Sequence, residues 1–274
     1  MKATIFDVKE FALGDGTGIR TTVFFKGCPL RCVWCHNPEG LSQAPELYVR
    51  RNGCRNCGLC RRECNHPDCA GLGRCLHICP SDLISVAGKV WTTDELREKL
   101  LLGKGVLNSS GGGVTFSGGE PLMQSDFLYE ILRSLRGELH RTIETSGFAD
   151  ENVFKRIAYE CDFVIMDIKL MSDDLHKKYT GRSNELILKN ASWLKSSGIP
   201  HLFRTPLIPK ITDTEENLRA ISEFIGDDKI ELLSYNTLAP AKYAGVGRSF
   251  TLEISEDDIK EPDISFFKNA HIRK

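Results

Sequence analysis

The chain of 274 residues has almost no charge imbalance: 36 lysines and arginines stand against 37 aspartates and glutamates, a net charge of −1. That balance removes the electrostatic case for a nucleic-acid or membrane-surface partner. Long uncharged apolar runs are missing too, so no transmembrane helix is expected. The opening MKATIFDVKEF lacks the apolar centre of a signal peptide, because Asp7, Lys9 and Glu10 interrupt it, and a cytoplasmic protein is expected. Cysteine is nearly absent from most of the chain: ten of the eleven lie between Cys28 and Cys79, and only Cys161 lies outside. Disulfides are disfavoured in the cytoplasm, so this crowding argues for metal. Cys161 precedes the apolar DFVIMDIK and is expected to be a small buried side chain. The length suits one large domain, or one domain with a small insert.

Cys28, Cys32 and Cys35 stand in GCPLRCVWCHNPEG, a Cys-x3-Cys-x2-Cys loop directly after the apolar run TTVFF. Three thiolates suit three corners of a cubane iron–sulfur cluster and leave the fourth iron open. An open coordination position is where a metal centre does chemistry; a closed one is mostly structural or carries electrons. Zinc is the competing metal, with His36 as a fourth ligand, but zinc usually takes two Cys-x2-Cys pairs.

Apolar runs of strand type fall at 21–25, 113–116, 141–145, 162–168, 201–207 and 230–235. Between the later ones lie segments of helical period. Thr92 and Glu95 form a capping box opening DELREKLL, and Ser125 is expected to cap DFLYEILRSLRG. Gly198 and Gly226 are natural helix stops. Alternating strand and helix implies a parallel sheet with right-handed crossovers. Six such strands suggest an open (β/α)6 barrel, whose chemistry belongs at the C-terminal strand ends. The cysteine loop follows the first strand, Gly118-Gly119-Glu120 the second and Thr145-Ser146-Gly147 the third. Asp167, Ile168 and Lys169 end the fourth, Arg204 lies late in the fifth, and Asn236 follows the sixth. Paired glycines let a backbone approach a ligand closely. Glu120 adds a carboxylate suited to an ammonium group, and Lys169 and Arg204 add cations that burial would force to find partners. Trp34 is placed to shield a metal centre or stack on a flat ring.

Residues 52–88 break the pattern, which divides the chain into a barrel (1–51 and 89–274) and an insert. Cys54-x2-Cys57-x2-Cys60-x3-Cys64 is the bacterial ferredoxin run, with Cys69, Cys75 and Cys79-Pro80 downstream. In two-cluster ferredoxins the last cysteine of each run serves the other cluster. That rule gives Cys54, Cys57, Cys60 and Cys79 to one 4Fe-4S cluster, and Cys64, Cys69 and Cys75 to part of a second. Spacing expects another cysteine at position 72, where Leu72 stands. One or two auxiliary clusters are therefore open, with His66, Asp68 or His77 as substitute ligand, a 3Fe-4S centre, or no second centre. Zinc also favours such Cys-x2-Cys pairs.

The Cys-x3-Cys-x2-Cys loop resembles that of the radical S-adenosylmethionine (SAM) enzymes. The longer string GDGTGIRTTVFFKGCPLRCVWCHNPE resembles, more narrowly, the glycyl-radical-enzyme activating enzymes, such as the pyruvate formate-lyase activating enzyme family. SGGEP (117–121), ETSG (144–147), MDIK (166–169), TGR (180–182), FRTPLIP (203–209) and ELLSYN (231–236) follow in the same order, so the resemblance covers about residues 4 to 250. One departure is Thr17, where the family usually has proline, which bears on turn rigidity. The resemblance implies a partial (β/α)6 radical SAM barrel with an inserted ferredoxin-like iron–sulfur module. It implies a catalytic 4Fe-4S cluster on Cys28, Cys32 and Cys35, with SAM on the open iron. One electron would cleave SAM to methionine and a 5′-deoxyadenosyl radical, which takes hydrogen from a glycine Cα in a partner glycyl radical enzyme. By the same resemblance Asp15 meets the partner's glycyl loop, and Gly118, Gly119 and Glu120 hold the SAM amino group. Lys169 and Arg204 contact SAM, Glu144, Thr145 and Asp167 form a monovalent-cation site, and Asn236 stands where some relatives carry histidine. A flavodoxin or ferredoxin-type donor, an anaerobic host and a monomeric state are expected with it. The alternative is a radical SAM enzyme acting on a small molecule or peptide.

Overall fold

The six apolar runs all form strands, and they lie side by side in chain order. The structure, a computed structural model, describes residues 1–273. Its strands are β1 (Lys2–Ala12), β2 (Arg20–Phe25), β3 (Glu46–Val49), β4 (Ile84–Ala87), β5 (Lys89–Thr92), β6 (Gly113–Gly118), β7 (His140–Thr145), β8 (Phe163–Asp167), β9 (His201–Pro206), β10 (Ile230–Leu233) and β11 (Ala270–Arg273). The main sheet runs β11-β10-β9-β8-β7-β6-β2-β1-β5. From β2 through β11 every pair is parallel, while β1 and β5 close the other edge antiparallel. The expected parallel sheet and partial barrel are borne out. Two edge strands on the β1 side and one on the β10 side extend it.

The period of two along each strand sorts the chain into two faces. Register puts Phe116 beside Ile143, Ile143 beside Val164, and Met166 beside Phe203. These side chains are fully buried and join one core with Leu128, Ile131, Phe154, Ile157, Leu194 and Leu218 from the crossover helices. The opposite parity carries polar groups. Thr22, Thr115 and Thr142 form one row, and Asp167, Arg204, Glu231 and His271 another. The polar rows face the barrel interior, so the alternation that builds the core also builds the site.

The Thr92–Glu95 capping box is present and starts the helix Thr93–Leu101. Gly226 caps Glu215–Ile225 with φ 66°, and Gly198 follows Glu185–Ser196 with φ 76°. Ser125 is not a cap. It is the first residue of the helix Ser125–Ser134, because a 3-10 turn over Pro121–Gln124, capped by the Glu120 side chain, runs straight into it.

The cysteine-rich insert hangs from a two-stranded ribbon in which β3 pairs antiparallel with β4, from Glu46–Ala87 to Val49–Ile84. Glu46 ties the ribbon to the barrel: Lys26 donates to it at 3.1 Å and Arg248 at 2.5 Å. Lys26 is fully buried, and its second bond goes to the Glu39 carbonyl at 2.6 Å.

Candidate functional site

The C-terminal ends of the parallel strands open into one cavity of about 730 Å³. The cysteine loop forms one wall. Its backbone is fixed by Arg31 and Val33, whose N–H groups donate to Thr180 (2.7 Å) and Tyr179 (3.0 Å), and by Arg182, which donates to the Pro29 carbonyl at 3.1 Å. The TGR segment thus serves as the loop's dock. Cys28, Cys32 and Cys35 all line the cavity. Burial disfavours their thiolates: it pushes the Cys32 thiol up to about 12, even with the Lys169 ammonium beside it, and raises Cys28 and Cys35 as well. Half-buried thiols held neutral in this way become good ligands when a metal supplies the positive charge. Three sulfurs with open space beyond them are the donor set that a cubane with one free corner requires, and the nearby ammonium offsets the negative charge of such thiolates.

Gly118 and Gly119 form the adjoining wall, and their glycines answer to the protein's own backbone. Gly119 donates to the Phe25 carbonyl at 2.8 Å, and a Cβ on it would run into the carbonyl oxygens of Gly27 and Gly40. Gly118 has φ 115°, a conformation open to few other residues. Glu120 does not line the cavity. Its side chain is 1% exposed and accepts from Leu122 N (3.2 Å), Thr145 Oγ1 (2.6 Å), Ser146 N (2.9 Å) and Ser146 Oγ (2.5 Å). Burial raises its pKa, against the pull of those donors. The carboxylate therefore ties the turn after β6 to the turn after β7. Thr145 and Ser146 face the cavity from that tie.

The charged row stands across from the cysteines. Lys169 Nζ contacts Asp167 at 2.6 Å. Burial opposes its charge, but Asp167 and the Cys32 and Cys28 sulfurs outweigh it, so the ammonium is held above its usual range. Arg204 is 2% exposed and donates to Glu231 (2.5 Å), Glu144 (2.6 Å) and the Gly14 carbonyl (2.5 Å). Ser117 donates to the other Glu144 oxygen at 2.7 Å. Burial opposes the Glu144 carboxylate, yet Arg204 and the Ser117 hydroxyl keep its pKa below the ordinary value.

The loop 13–19 closes the cavity from the side. Arg204 and Arg273 both grip the Gly14 carbonyl, Thr115 donates to the Asp15 carbonyl at 2.6 Å, and Thr22 donates to the Asp15 carboxylate at 2.7 Å. Arg20, fully buried, holds the Thr17 carbonyl at 3.1 Å while spanning Thr115 and Thr142. These bonds supply the rigidity that a proline at position 17 would have given. Asp15 has a raised pKa, from burial first and Glu144 second. Trp34 is buried and packs with Leu170, Ile208 and Ile211. His36 meets Tyr235 edge-on at 6.5 Å, and burial lowers its pKa. Asn236 accepts from Leu238 N at 2.9 Å in the rim turn.

The cavity thus collects fourteen of the residues singled out from the sequence: Asp15, the three cysteines, Trp34, His36, Gly118, Gly119, Glu144, Thr145, Asp167, Lys169, Arg204 and Asn236. Glu120 and Ile168 lie behind its wall, Ile168 in the apolar core. Ser146, from the expected Thr145-Ser146-Gly147 turn, lines it as well, as do Ser117, Tyr235 and Arg273, for which no role was expected. Glu231, the second carboxylate partner of Arg204, was missed because it sits in an otherwise apolar strand. In the insert, the sulfurs of Cys64, Cys69 and Cys75 come within 4.8 Å of one another. Arg74 donates to Cys60 Sγ at 3.0 Å. No helix among the described residues is long and apolar enough to cross a membrane.

Residues 22–221 match the family model of the Radical SAM superfamily. The chain is 35% identical to the 4-hydroxyphenylacetate decarboxylase activating enzyme of Clostridium scatologenes, with 91% of this chain and 88% of that protein aligned. It is 35% identical to the choline trimethylamine-lyase activating enzyme of Oleidesulfovibrio alaskensis, over 92% and 89%. Among solved structures, a radical SAM methyltransferase from Sphaerobacter thermophilus covers 93% of the chain with a TM-score of 0.51 at 15% identity, a likeness of fold alone.

Proposed function

The chain belongs to the radical SAM superfamily and, within it, to the activating enzymes of glycyl radical enzymes, and we propose the following roles for its residues. One observation carries them: three half-buried thiols, the Asp167–Lys169 pair and the braced Glu144–Arg204 pair converge on one cavity at the strand ends. Cys28, Cys32 and Cys35 hold a 4Fe-4S cluster by three corners. Bound there, the reduced cluster supplies the electron that cleaves SAM to methionine and a 5′-deoxyadenosyl radical, which leaves as 5′-deoxyadenosine after taking hydrogen from a partner's glycine Cα.

The protein's own work is to bind, orient and exclude water. Lys169, already charged, offers its ammonium to the SAM carboxylate. Thr145, Ser146 and the Gly118–Gly119 backbone face the SAM amino group, and Glu120 holds the two turns that present them. Glu144 and Asp167 are the carboxylates available to a monovalent cation. Trp34 packs behind the cluster loop, and His36 and Asn236 shape the rim beside the adenine. Asp15, on its clamped loop, meets the partner's glycyl segment. Two exposed apolar side chains, Leu238 on the cavity lining and Leu13 next to the clamped Gly14, suit a protein partner more than a small molecule. Cys54, Cys57, Cys60 and Cys79 hold an auxiliary 4Fe-4S cluster that passes electrons from a flavodoxin or ferredoxin-type donor. The chain acts as a monomer, in the cytoplasm of an anaerobe.

The test is made on anaerobically purified, iron-reconstituted protein, wild type beside Cys32→Ala. Dithionite and SAM are added and 5′-deoxyadenosine is quantified; a glycyl radical enzyme is then added and its radical sought by EPR. Product from the wild type alone, with a glycyl signal in the partner, is expected. Absence of product from reduced, iron-loaded wild type would end this reading.

A further inference from the structure

One set of ligands in the insert has no place in the chemistry above. The run Cys69-x2-Leu72-x2-Cys75 lacks the cysteine that a second cubane needs. The fold nevertheless gathers what remains. The sulfurs of Cys64, Cys69 and Cys75 lie within 4.8 Å of one another, and ligand atoms of His66, Cys69 and His77 form a second group of that size; the two groups share Cys69, so a histidine stands next to the three sulfurs without yet closing on all of them. Among the described residues, neither Cys28, Cys32 and Cys35 nor Cys54, Cys57, Cys60 and Cys79 closes so far. A tetrahedral ion with metal–sulfur bonds near 2.3 Å sets its thiolates about 3.8 Å apart. A cubane places each thiolate on a separate iron corner, which demands wider spacing. The second set is thus contracted to the scale of a single ion.

The two imidazoles beside Cys69, with ring centroids 4.4 Å apart, are not equivalent. His66 Nδ1 accepts the Asp68 N–H at 3.2 Å and so caps the turn Pro67–Cys69. Asp68 Oδ2 lies 3.6 Å from both His66 Nδ1 and His77 Nε2, but His66 Nδ1 is already the acceptor of the Asp68 N–H, so the carboxylate is left to a His77 Nε2–H, and His77 Nδ1 is free for a metal. A carboxylate behind the far nitrogen is the common way to fix a ligating histidine's tautomer. Cys69 and Cys75 are buried, as ligands of a closed site should be.

We propose that the insert's second centre is a mononuclear zinc site of Cys64, Cys69, Cys75 and His77, and that the insert carries one iron–sulfur cluster. This rests on reading Cys54, Cys57, Cys60 and Cys79 as the cubane site, and is independent of the SAM chemistry. Four protein ligands leave no open position, and zinc carries no electrons, so the site staples the insert beside its cluster.

The full chain is reconstituted anaerobically with iron and sulfide in the presence of zinc, and both metals are counted. About eight iron atoms, two cubanes' worth, and about one zinc per chain are expected. Cobalt(II) in place of zinc should give the intense visible bands of a tetrahedral thiolate site. His77→Ala should weaken cobalt binding by more than about tenfold, while His66→Ala retains it. Leu72→Cys should restore a cubane, raising iron to about twelve and expelling zinc. About twelve iron atoms without zinc in the wild type would overturn the proposal, as would eight iron atoms with neither zinc nor cobalt bound. Loss of binding in His66→Ala but not in His77→Ala would overturn the ligand set. Cys32→Ala should lose about four iron atoms and keep its zinc. Inactivity toward SAM alongside the expected zinc would sink the proposed function and leave this one standing.

Discussion

Glu120→Gln separates two roles that the same residue could hold. Its carboxylate accepts from four donors on two turns, and it is sealed from the cavity. Glutamine keeps one acceptor oxygen but sets an NH2 group against the Ser146 N–H. One buried donor is left without a partner, at a cost of about 1–3 kcal/mol. For a chain of this size that lowers Tm by roughly 2–4 °C per kcal/mol. A brace affects SAM only through the turns it holds, so SAM affinity should fall less than about threefold. A direct ligand to the SAM ammonium would behave differently: losing a charge-assisted bond costs about 1.5–3 kcal/mol, roughly ten- to a hundredfold in Kd. The assay pairs thermal melts with SAM titration of iron-loaded protein under anoxic conditions. Unchanged Tm with SAM binding weakened tenfold or more would refute the bracing argument.

Three further outcomes follow from the same geometry. Gly119→Ala should cost about 1–3 kcal/mol and lower iron content, because its Cβ meets two backbone carbonyls; Gly105→Ala, with open space around it, should raise Tm slightly. Glu144 has a folded pKa below its ordinary 4.5, so its contribution is complete above that pH and is lost as acid is added below it. Acid titration of the metal-free chain should show this loss, and Glu144→Gln should flatten it. Leu13→Glu should cut glycyl radical yield in the partner at least about fivefold while leaving partner-free 5′-deoxyadenosine formation unchanged, since Leu13 is 73% exposed beside the clamped Gly14–Asp15 segment.

The strands that were legible in the sequence are those buried on both faces, where apolar runs leave a dense signal. β1 escaped notice because Lys2, Asp7, Lys9 and Glu10 interrupt its pattern, although its inward positions Ala3, Ile5 and Ala12 are buried. β3, β4, β5 and β11 are each four residues long and, unlike the equally short but buried β10, are mostly half-buried or exposed, so no apolar run marks them. The charged residues near strand ends were legible as a group, since burial of a cation demands a partner. Their partners were not. Glu231 faces Arg204 only because β9 and β10 adopt one register, and sequence spacing does not encode that. Glu120 was visible as a carboxylate beside two glycines; that it turns away from the cavity depends on where the Thr145–Ser146 turn arrives.

The ribbon of β3 and β4 has an implication for how such chains diversify. Val49 and Ile84 are already paired, so residues 50–83 form a loop whose two ends stand side by side before any metal binds. Each doubling of a loop's length costs only about 0.6 kcal/mol in closure entropy. A lineage can therefore lengthen, trim or exchange this cassette, and with it the number and kind of its metal centres, while the barrel beneath keeps one unchanged chemistry.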